Sequence, residues 1–143
     1  MVHSEIISSL HGACFKEIWN EKSISEILKM VGAIGFIIST EEERPEGFIL
    51  LRVTADEAEI ISIGVIPAAR KKGLASRLLK KSIESAILNK TTKMFIEVAE
   101  NNKAAISLYK TFGFRSIGKR PGYYKRSTKK LDAIIYSLNI TDK

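Results

Sequence analysis

A cluster of small and basic residues lies where an apolar segment ending at Val65 meets a long helical pattern. Gly73 and Ala75 stand at this junction, and the basic side chains around them are Arg70, Lys71, Lys72 and Arg77. The first amides of a helix have no intrahelical acceptor and lie at the positive end of the helix dipole, so they bind phosphate where side chains leave room. The residue types therefore predict a pyrophosphate site held by backbone amides.

Spacing by itself leaves a second interpretation of this junction open. The P-loop pattern G-x-x-x-x-G-K-[ST] and the dinucleotide pattern G-x-G-x-x-G are both absent from the sequence. The segment is then either a phosphate site of another kind or an ordinary turn from strand to helix with a solvated basic cap.

A resemblance to a known family makes the first interpretation specific. Arg70-x-x-Gly73-x-Ala75 resembles the [RQ]-x-x-G-x-[GA] acetyl-CoA signature of the GNAT acetyltransferase superfamily. Further along, the segment from Glu97 to Phe114 is similar to the family pattern E-x-x-x-x-N-x-x-A-x-x-x-Y-x-x-x-G-F. The resemblance implies that acetyl-CoA binds at the junction as acetyl donor, and no metal is expected.

The end of the sequence resembles one branch of that superfamily. Lys119 to Tyr124, followed by Asp132 to Leu138, is similar to the ending of the RimI branch, which acetylates the N-terminal alanine of ribosomal protein S18. The likeness covers about Trp19 to Ile140. It implies a single α/β domain over 1–143, with a mixed, mostly antiparallel central sheet, helices on both faces and a splay between the two central strands.

The resemblance also implies which residues hold the donor. Its pantetheine arm is expected to hydrogen-bond to the backbone around Ile63 and Val65, and Asn102 matches a family position that contacts the same arm. The side chain of Asn102 can also cap the helix that follows. The full expected set is Ile63, Val65, Arg70, Lys71, Lys72, Gly73, Leu74, Ala75, Ser76 and Asn102.

Two residues of the matched pattern are implied to move protons. An α-amine has an unperturbed pKa of about 7.7–8.0, so a sizeable protonated fraction must lose a proton before attacking the thioester. Glu97 matches the family's general base, and Tyr109 matches the general acid that protonates the leaving thiolate. The implied mechanism is direct attack in a ternary complex without an acyl-enzyme, so Cys14 is not the nucleophile.

Each of these side chains also has a purely structural interpretation. Glu97 is either the base or a solvent-facing carboxylate in an alternating strand, and Tyr109 is either the acid or a core residue on a helical stripe. Tyr123 and Tyr124 either line the substrate slot or form a turn before the last strand. Trp19 either closes over the peptide or holds the first two helices together.

Hydrophobic periodicity predicts the elements that position these residues. The expected order is ααβββαβαβ, with the three consecutive strands forming an antiparallel meander and with Asn20 or Ser23 capping the second helix. The predicted helices are Ser4–Phe15, a short helix through Met30, Leu74–Asn89 and Ala104–Phe112, and the predicted strands are Ala33–Ser39, Gly47–Thr54, Glu59–Val65, Met94–Val98 and Ala133–Leu138.

Composition limits the classes of protein to which the chain can belong. The chain has 143 residues and a formal charge of +7, which favours an anionic partner. Its one cysteine, Cys14, excludes an internal disulfide framework, and the two histidines, His3 and His11, make a zinc site implausible. No apolar run reaches the roughly 18 residues that span a bilayer, and no signal-peptide pattern is present. A cytoplasmic protein without a membrane partner is expected.

The leading hypothesis is therefore N-terminal acetylation of a protein, with S18 as acceptor by resemblance. A second hypothesis is acetylation of a small amine or a lysine side chain, and the acidic stretch Glu41 to Glu46 would suit a basic acceptor. A third is a non-catalytic RNA- or ribosome-binding module that uses the basic segment Lys103 to Lys130. Direct nucleic-acid binding is not expected under the leading hypothesis, and a monomer or weak dimer is.

Overall fold

The computed structural model describes residues 2–14, 21–39, 44–70, 72–126 and 129–140. Among these residues, no helix combines the length and the apolar character that crossing a membrane requires. The described helices are α1 (Val2–Cys14), α2 (Glu21–Lys29), α3 (Leu74–Leu88) and α4 (Lys103–Thr111). The described strands are β1 (Ala33–Ser39), β2 (Pro45–Thr54), β3 (Glu57–Val65), β4 (Lys93–Ala99), β5 (Arg115–Arg126) and β6 (Lys129–Asn139).

The six described strands form one sheet in the order β1-β2-β3-β4-β6-β5. Its neighbours pair antiparallel except for β3 and β4, the two central strands, which are parallel. Their pairing joins Glu57–Glu59 to Lys93–Phe95 and then stops, although the strands continue to Val65 and Ala99. The central strands therefore separate, which confirms the mixed sheet and the splay.

Helices cover both faces of this sheet. Ile24 of α2 packs against Phe48 on one face, in a core that α1 also lines. On the other face, Leu79 of α3 packs with Ile96 and Val98 of β4, in the larger core that also contains the buried ring of α4. The expectation of helices on both faces is confirmed.

One strand and one helix cap differ from the sequence prediction. Strand β5 was not expected, because its pairing with β6 shifts between Ser116 and Gly118 and again between Arg120 and Tyr124, which interrupts the alternation that marks a strand. Helix α2 begins at Glu21, so Ser23 lies inside the helix and its prediction as the cap is wrong. Asn20, the other candidate, lies outside the described residues.

Candidate active site

The gap between β3 and β4 leaves one side of the β3 backbone without a neighbouring strand. The amide of Ile66 donates to the carbonyl oxygen of Glu46 in β2 at 2.8 Å. Because successive residues of a strand direct their peptide groups to opposite sides, those of Ile63 and Val65 point away from β2 and toward the gap. An extended molecule can bind such an edge as an added strand. This is the backbone at which the pantetheine arm is expected.

A tight connection leads from β3 into α3. Pro67–Ala69 form one 3-10 turn, and the amide of Arg70 donates to the carbonyl oxygen of Pro67 at 3.3 Å. The side chain of Arg70 folds back, and its Nε donates to the carbonyl oxygen of Val65 at 3.0 Å. The two hydrogen bonds fix the path of the chain between the gap and the beginning of α3.

Gly73 is the N-cap of α3 and has a left-handed conformation, with φ 76° and ψ 14°. A Cβ at this position would meet no heavy atom of the described residues within 4 Å, so glycine is required here by the backbone conformation rather than by crowding. Glycine has no side chain to cap the helix, and the first turn of α3 has no acidic residue. The amides of Leu74, Ala75 and Ser76 therefore suit an anion from outside the chain.

Basic side chains surround this helix terminus. Lys72 and Arg77 are both exposed beside it, and Lys71 lies outside the described residues. The amide of Arg77 makes an early hydrogen bond of the helix, to the carbonyl oxygen of Gly73 at 3.1 Å. The structure thus brings together the predicted amide cradle and two of its predicted cations.

Glu97 lies on β4, beside the part of the strand where pairing with β3 has ended. Its neighbours Ile96 and Val98 are buried on the face covered by α3 and α4, so Glu97 points to the opposite face. Its side chain is 27% exposed, and its Oε1 lies 2.9 Å from Nη2 of Arg120. Glu97 is therefore a partly buried carboxylate held in an ion pair, and its role as a base stays a prediction.

Helix α4 places two of the predicted residues. Asn102 is its N-cap, and Oδ1 of Asn102 accepts a hydrogen bond from the amide of Ala105 at 3.2 Å. Tyr109 is 2% exposed and packs in the core with Phe114, their ring centroids 5.5 Å apart. The structural interpretations of both residues hold, and their roles toward the donor stay predictions.

The end of α4 fixes the ring of Tyr109. Gly113 has φ 94°, its amide donates to the carbonyl oxygen of Lys110, and the amide of Phe114 donates to that of Tyr109, at 3.0 Å in both cases. These bonds form a Schellman motif, in which the residue after the glycine commonly packs against the last turn. Tyr109 belongs to the core that also contains Ile96 and Val98, so it lies on the face of the sheet opposite to Glu97.

A bulge in β5 lies next to this site. The register of β5 against β6 shifts between Arg120 and Tyr124. Within this segment the amide of Gly122, which has φ 61°, donates to Oδ1 of Asp132 at 2.8 Å. The amide of Asp132 in turn donates to Oε1 of Glu100 at 3.3 Å. The backbone of Tyr124 pairs with β6, whereas the side chains of Tyr123 and Tyr124, and all of Trp19, lie outside what the structure describes.

One contact on this face was missed from the sequence, and one residue of the predicted acidic stretch lies on it. Arg120 pairs with Glu97 from a different strand, and no local spacing signals such a contact; the Pro-Gly dipeptide after it does signal an irregular segment. Glu46 is 8% exposed and shares the face of Phe48, the face to which Glu97 also points. Of the acidic stretch Glu41 to Glu46, positions 41–43 lie outside the described residues.

A model of the acetyltransferase (GNAT) family matches residues 5–114. The chain belongs to the GNAT acetyltransferase family. It is an acetyl-CoA-dependent N-acetyltransferase, in agreement with the signature at the beginning of α3. The gap, the amides at the α3 terminus and the basic residues around them fit the pantetheine and pyrophosphate parts of that donor.

Two relatives within the GNAT family carry the same name. The [ribosomal protein bS18]-alanine N-acetyltransferase of Salmonella typhimurium is 33% identical over 102 residues, which cover 71% of this chain and 69% of that protein. The protein of that name from Escherichia coli K12 is 32% identical over the same length. An N-alpha-acetyltransferase RimI of Mycobacterium tuberculosis is 37% identical over 71 residues, or 50% of this chain and 43% of that protein.

Solved GNAT structures agree with the fold. The crystal structure of the ribosomal-protein-S18-alanine N-acetyltransferase from Escherichia coli superposes with a TM-score of 0.92 at 25% identity, covering 100% of this chain and 91% of that one. Arabidopsis thaliana NAA60 in complex with acetyl-CoA gives a TM-score of 0.79 at 17% identity, with 96% and 93% covered, a likeness of fold.

Proposed function

We propose that this enzyme acetylates the α-amine of a protein N-terminus, and that its acceptor is the N-terminal alanine of ribosomal protein S18. The names and similarity of the Salmonella and Escherichia coli relatives support the acceptor. The separation of β3 from β4 beside a partly buried carboxylate supports the reaction, because it provides a donor channel that ends next to a proton acceptor. A ribosomal acceptor also favours a cytoplasmic location.

The donor supplies the acetyl group as a thioester, and residues of this chain hold it. The backbone of Ile63 and Val65 binds the pantetheine arm, and Asn102 contacts the same arm from α4. The amides of Gly73, Leu74, Ala75 and Ser76 bind the pyrophosphate, with charge from Lys71 and Lys72. Arg70 contributes by fixing the connection through its hydrogen bond to Val65.

Proton transfer at the amine falls to Glu97. Near neutral pH much of an α-amine with a pKa of about 7.7–8.0 is protonated and has no lone pair for attack. Glu97 accepts that proton on the face opposite α3 and α4, directly or through one water. The phenol of Tyr109 donates a proton to the departing sulfur from the other face. Attack is direct, in a ternary complex.

The acceptor is placed on the Glu97 face. Tyr123 and Tyr124 pack around the small first side chain of the acceptor, and Trp19 closes over the peptide. The buried carboxylate of Glu46 on the same face favours one second candidate, an acceptor with further basic groups such as a polyamine or a lysine side chain.

A mass-spectrometric screen with acetyl-CoA tests these candidates together. The acceptors are a peptide with the N-terminal sequence of S18, the same peptide with its α-amine blocked and a lysine added, and a polyamine. Acetylation of the first in preference to the others is expected. Acetylation of the lysine peptide or polyamine alone would contradict the proposal, and steeply salt-dependent RNA binding without stabilisation by acetyl-CoA would favour a binding module instead.

A further inference from the structure

Arg120 covers the carboxylate that receives the amine proton in the proposed function. Its Nη2 lies 2.9 Å from Oε1 of Glu97, and the exposed fractions of the two side chains are 55% and 27%. The guanidinium is thus the more exposed partner, and an acceptor that reaches Glu97 from solvent must meet both groups. An ion pair as exposed as this one stabilises a fold very little, so stability alone does not account for its place here.

The strand register explains how Arg120 reaches Glu97. Glu97 pairs with Ile135 of β6, which pairs with Gly118 of β5, whereas Arg120 pairs with Ala133. Arg120 therefore lies one step further along the same face and reaches diagonally across β6. Gly118, the β5 residue in register with Glu97 through Ile135, has no side chain that could compete with Arg120 for the carboxylate.

We infer that Arg120 is a specificity-determining residue, which donates a hydrogen bond to the carbonyl oxygen of the acceptor's first residue while Glu97 receives the proton of its amine. The inference rests on the proposed N-terminal acetylation. Standard bond lengths place the α-nitrogen and the carbonyl oxygen of one residue roughly 2.7 to 3.6 Å apart. The 2.9 Å between Oε1 of Glu97 and Nη2 of Arg120 lies in that range. The accepting oxygen of Glu97 can therefore face the amine, while the donating nitrogen of Arg120 faces the carbonyl oxygen.

This pairing distinguishes an N-terminus from other amines. A lysine side chain or a polyamine can present its amine to Glu97, but it has no carbonyl oxygen three bonds from that amine to accept from Arg120. Arginine suits the task because its planar guanidinium carries five N–H donors, so it can keep its bond to Glu97 while it binds a carbonyl. The hydrogen bond from Gly122 to Asp132 fixes the bulge that follows Arg120 and so limits its motion.

A double-mutant cycle between enzyme and substrate tests this inference. The enzymes are wild type and Arg120→Met, which keeps an unbranched apolar stem and removes the guanidinium donors. The acceptors are an alanine-initiated peptide and its analogue with a trans-alkene in place of the first peptide bond, which keeps the amine and removes the carbonyl. Either change made singly is expected to lower kcat/KM by about tenfold to a hundredfold, the loss of one charged hydrogen bond. Both changes together are expected to lower kcat/KM no further.

Arg115→Met is the matched control, because Arg115 lies on the same strand and pairs with Ser137, which pairs with Phe95. Arg115 shares the face of Arg120 but lies roughly 13 Å further along the strand direction. Removal of the acceptor's carbonyl should therefore lower kcat/KM by the same factor in wild type and in Arg115→Met. If the alkene analogue lowers kcat/KM of Arg120→Met by the same factor as it lowers that of wild type, the two losses are independent. That result would overturn the inference and leave Arg120 acting only through Glu97. Should Arg120→Met not fold, Arg120→Ala replaces it in the cycle. A wild-type enzyme that acetylates no α-amine would refute the proposed function instead.

Discussion

Nε of Arg70 donates a hydrogen bond to the carbonyl oxygen of Val65 at 3.0 Å, across the connection between β3 and α3. Arg70 is the first residue of the matched acetyl-CoA signature, where its charge alone suggests a contact with phosphate. The bond gives it a geometric task as well, because it ties the end of the open strand to the residues that precede Gly73. The donor channel and the amide cradle are thereby held in one fixed relation.

Arg70→Lys separates the two tasks, since lysine keeps the charge but has no planar Nε donor at that point. The dissociation constant for acetyl-CoA is expected to rise about tenfold in Arg70→Lys, which loses the charged hydrogen bond, and further in Arg70→Ala, which loses the charge as well. Isothermal titration calorimetry measures it. Arg52→Lys is the control, since Nε of Arg52 makes the same kind of bond to the carbonyl oxygen of Val31, at 3.3 Å. If Arg70→Lys binds acetyl-CoA with wild-type affinity, Arg70 contributes to binding through its charge alone and not through its hydrogen bond.

Gly73→Ala tests the cradle at the α3 terminus. A side chain with φ near 76° costs roughly 1–2 kcal/mol, and relief of that strain turns the first amides away from the donor. Acetyl-CoA is added to both proteins at a hundredfold the wild-type dissociation constant. It should stabilise wild type by about 2.7 kcal/mol, seen as a rise in Tm, and should stabilise the variant by clearly less. Gly113→Ala carries a comparable strain at φ 94° just after α4 and should keep the full rise. An equal rise in all three proteins would argue against the amide cradle.

The sequence predicts this junction well and the acceptor face poorly, for physical reasons. The beginning of α3 is encoded locally, by a glycine that can adopt positive φ and by apolar residues at helical spacing. The contact between Arg120 and Glu97 depends instead on the pairing of β4, β6 and β5, and register shifts hide β5 itself from any alternating pattern. The point at which β3 separates from β4 is likewise not encoded in the sequence of either strand alone. Only the family resemblance therefore predicts the splay.

Glu97→Gln tests the general base. Glutamine cannot take a proton from the amine, so kcat/KM is expected to fall by about a hundredfold or more below pH 7. The deficit should narrow as pH rises past the amine pKa of about 7.7–8.0, because the acceptor then arrives deprotonated. Initial rates from pH 6 to 9 measure both profiles. Glu59→Gln, an exposed carboxylate of β3 in the closed part of the sheet, serves as control. A deficit that stays constant across this range would remove Glu97 as base.

Two substitutions at Asn102 separate the helix cap from the contact with the donor. In Asn102→Asp the new carboxylate would still accept from the amide of Ala105, whereas Asn102→Ala loses the cap and should cost about 1 kcal/mol of unfolding free energy. If the side-chain amide also binds the pantetheine arm, both variants weaken acetyl-CoA binding, while only Asn102→Ala lowers Tm in the absence of ligand. Calorimetric titration and thermal melts measure the two effects separately. Unchanged affinity in Asn102→Asp would leave Asn102 with the cap as its single role.

Tyr109→Phe removes the phenol that protonates the leaving sulfur and keeps the ring that packs against Phe114. The dissociation constant for acetyl-CoA should stay the same, whereas kcat should fall by about a hundredfold, as for loss of a general acid. Tyr136→Phe is the matched control, because Tyr136 is 3% exposed in the same core and has no assigned part in the reaction. Its kcat should equal that of wild type, and any general effect of removing a buried hydroxyl would appear in its Tm. If Tyr109→Phe also turns over at the wild-type rate, the ring of Tyr109 serves packing, and another group must protonate the thiolate.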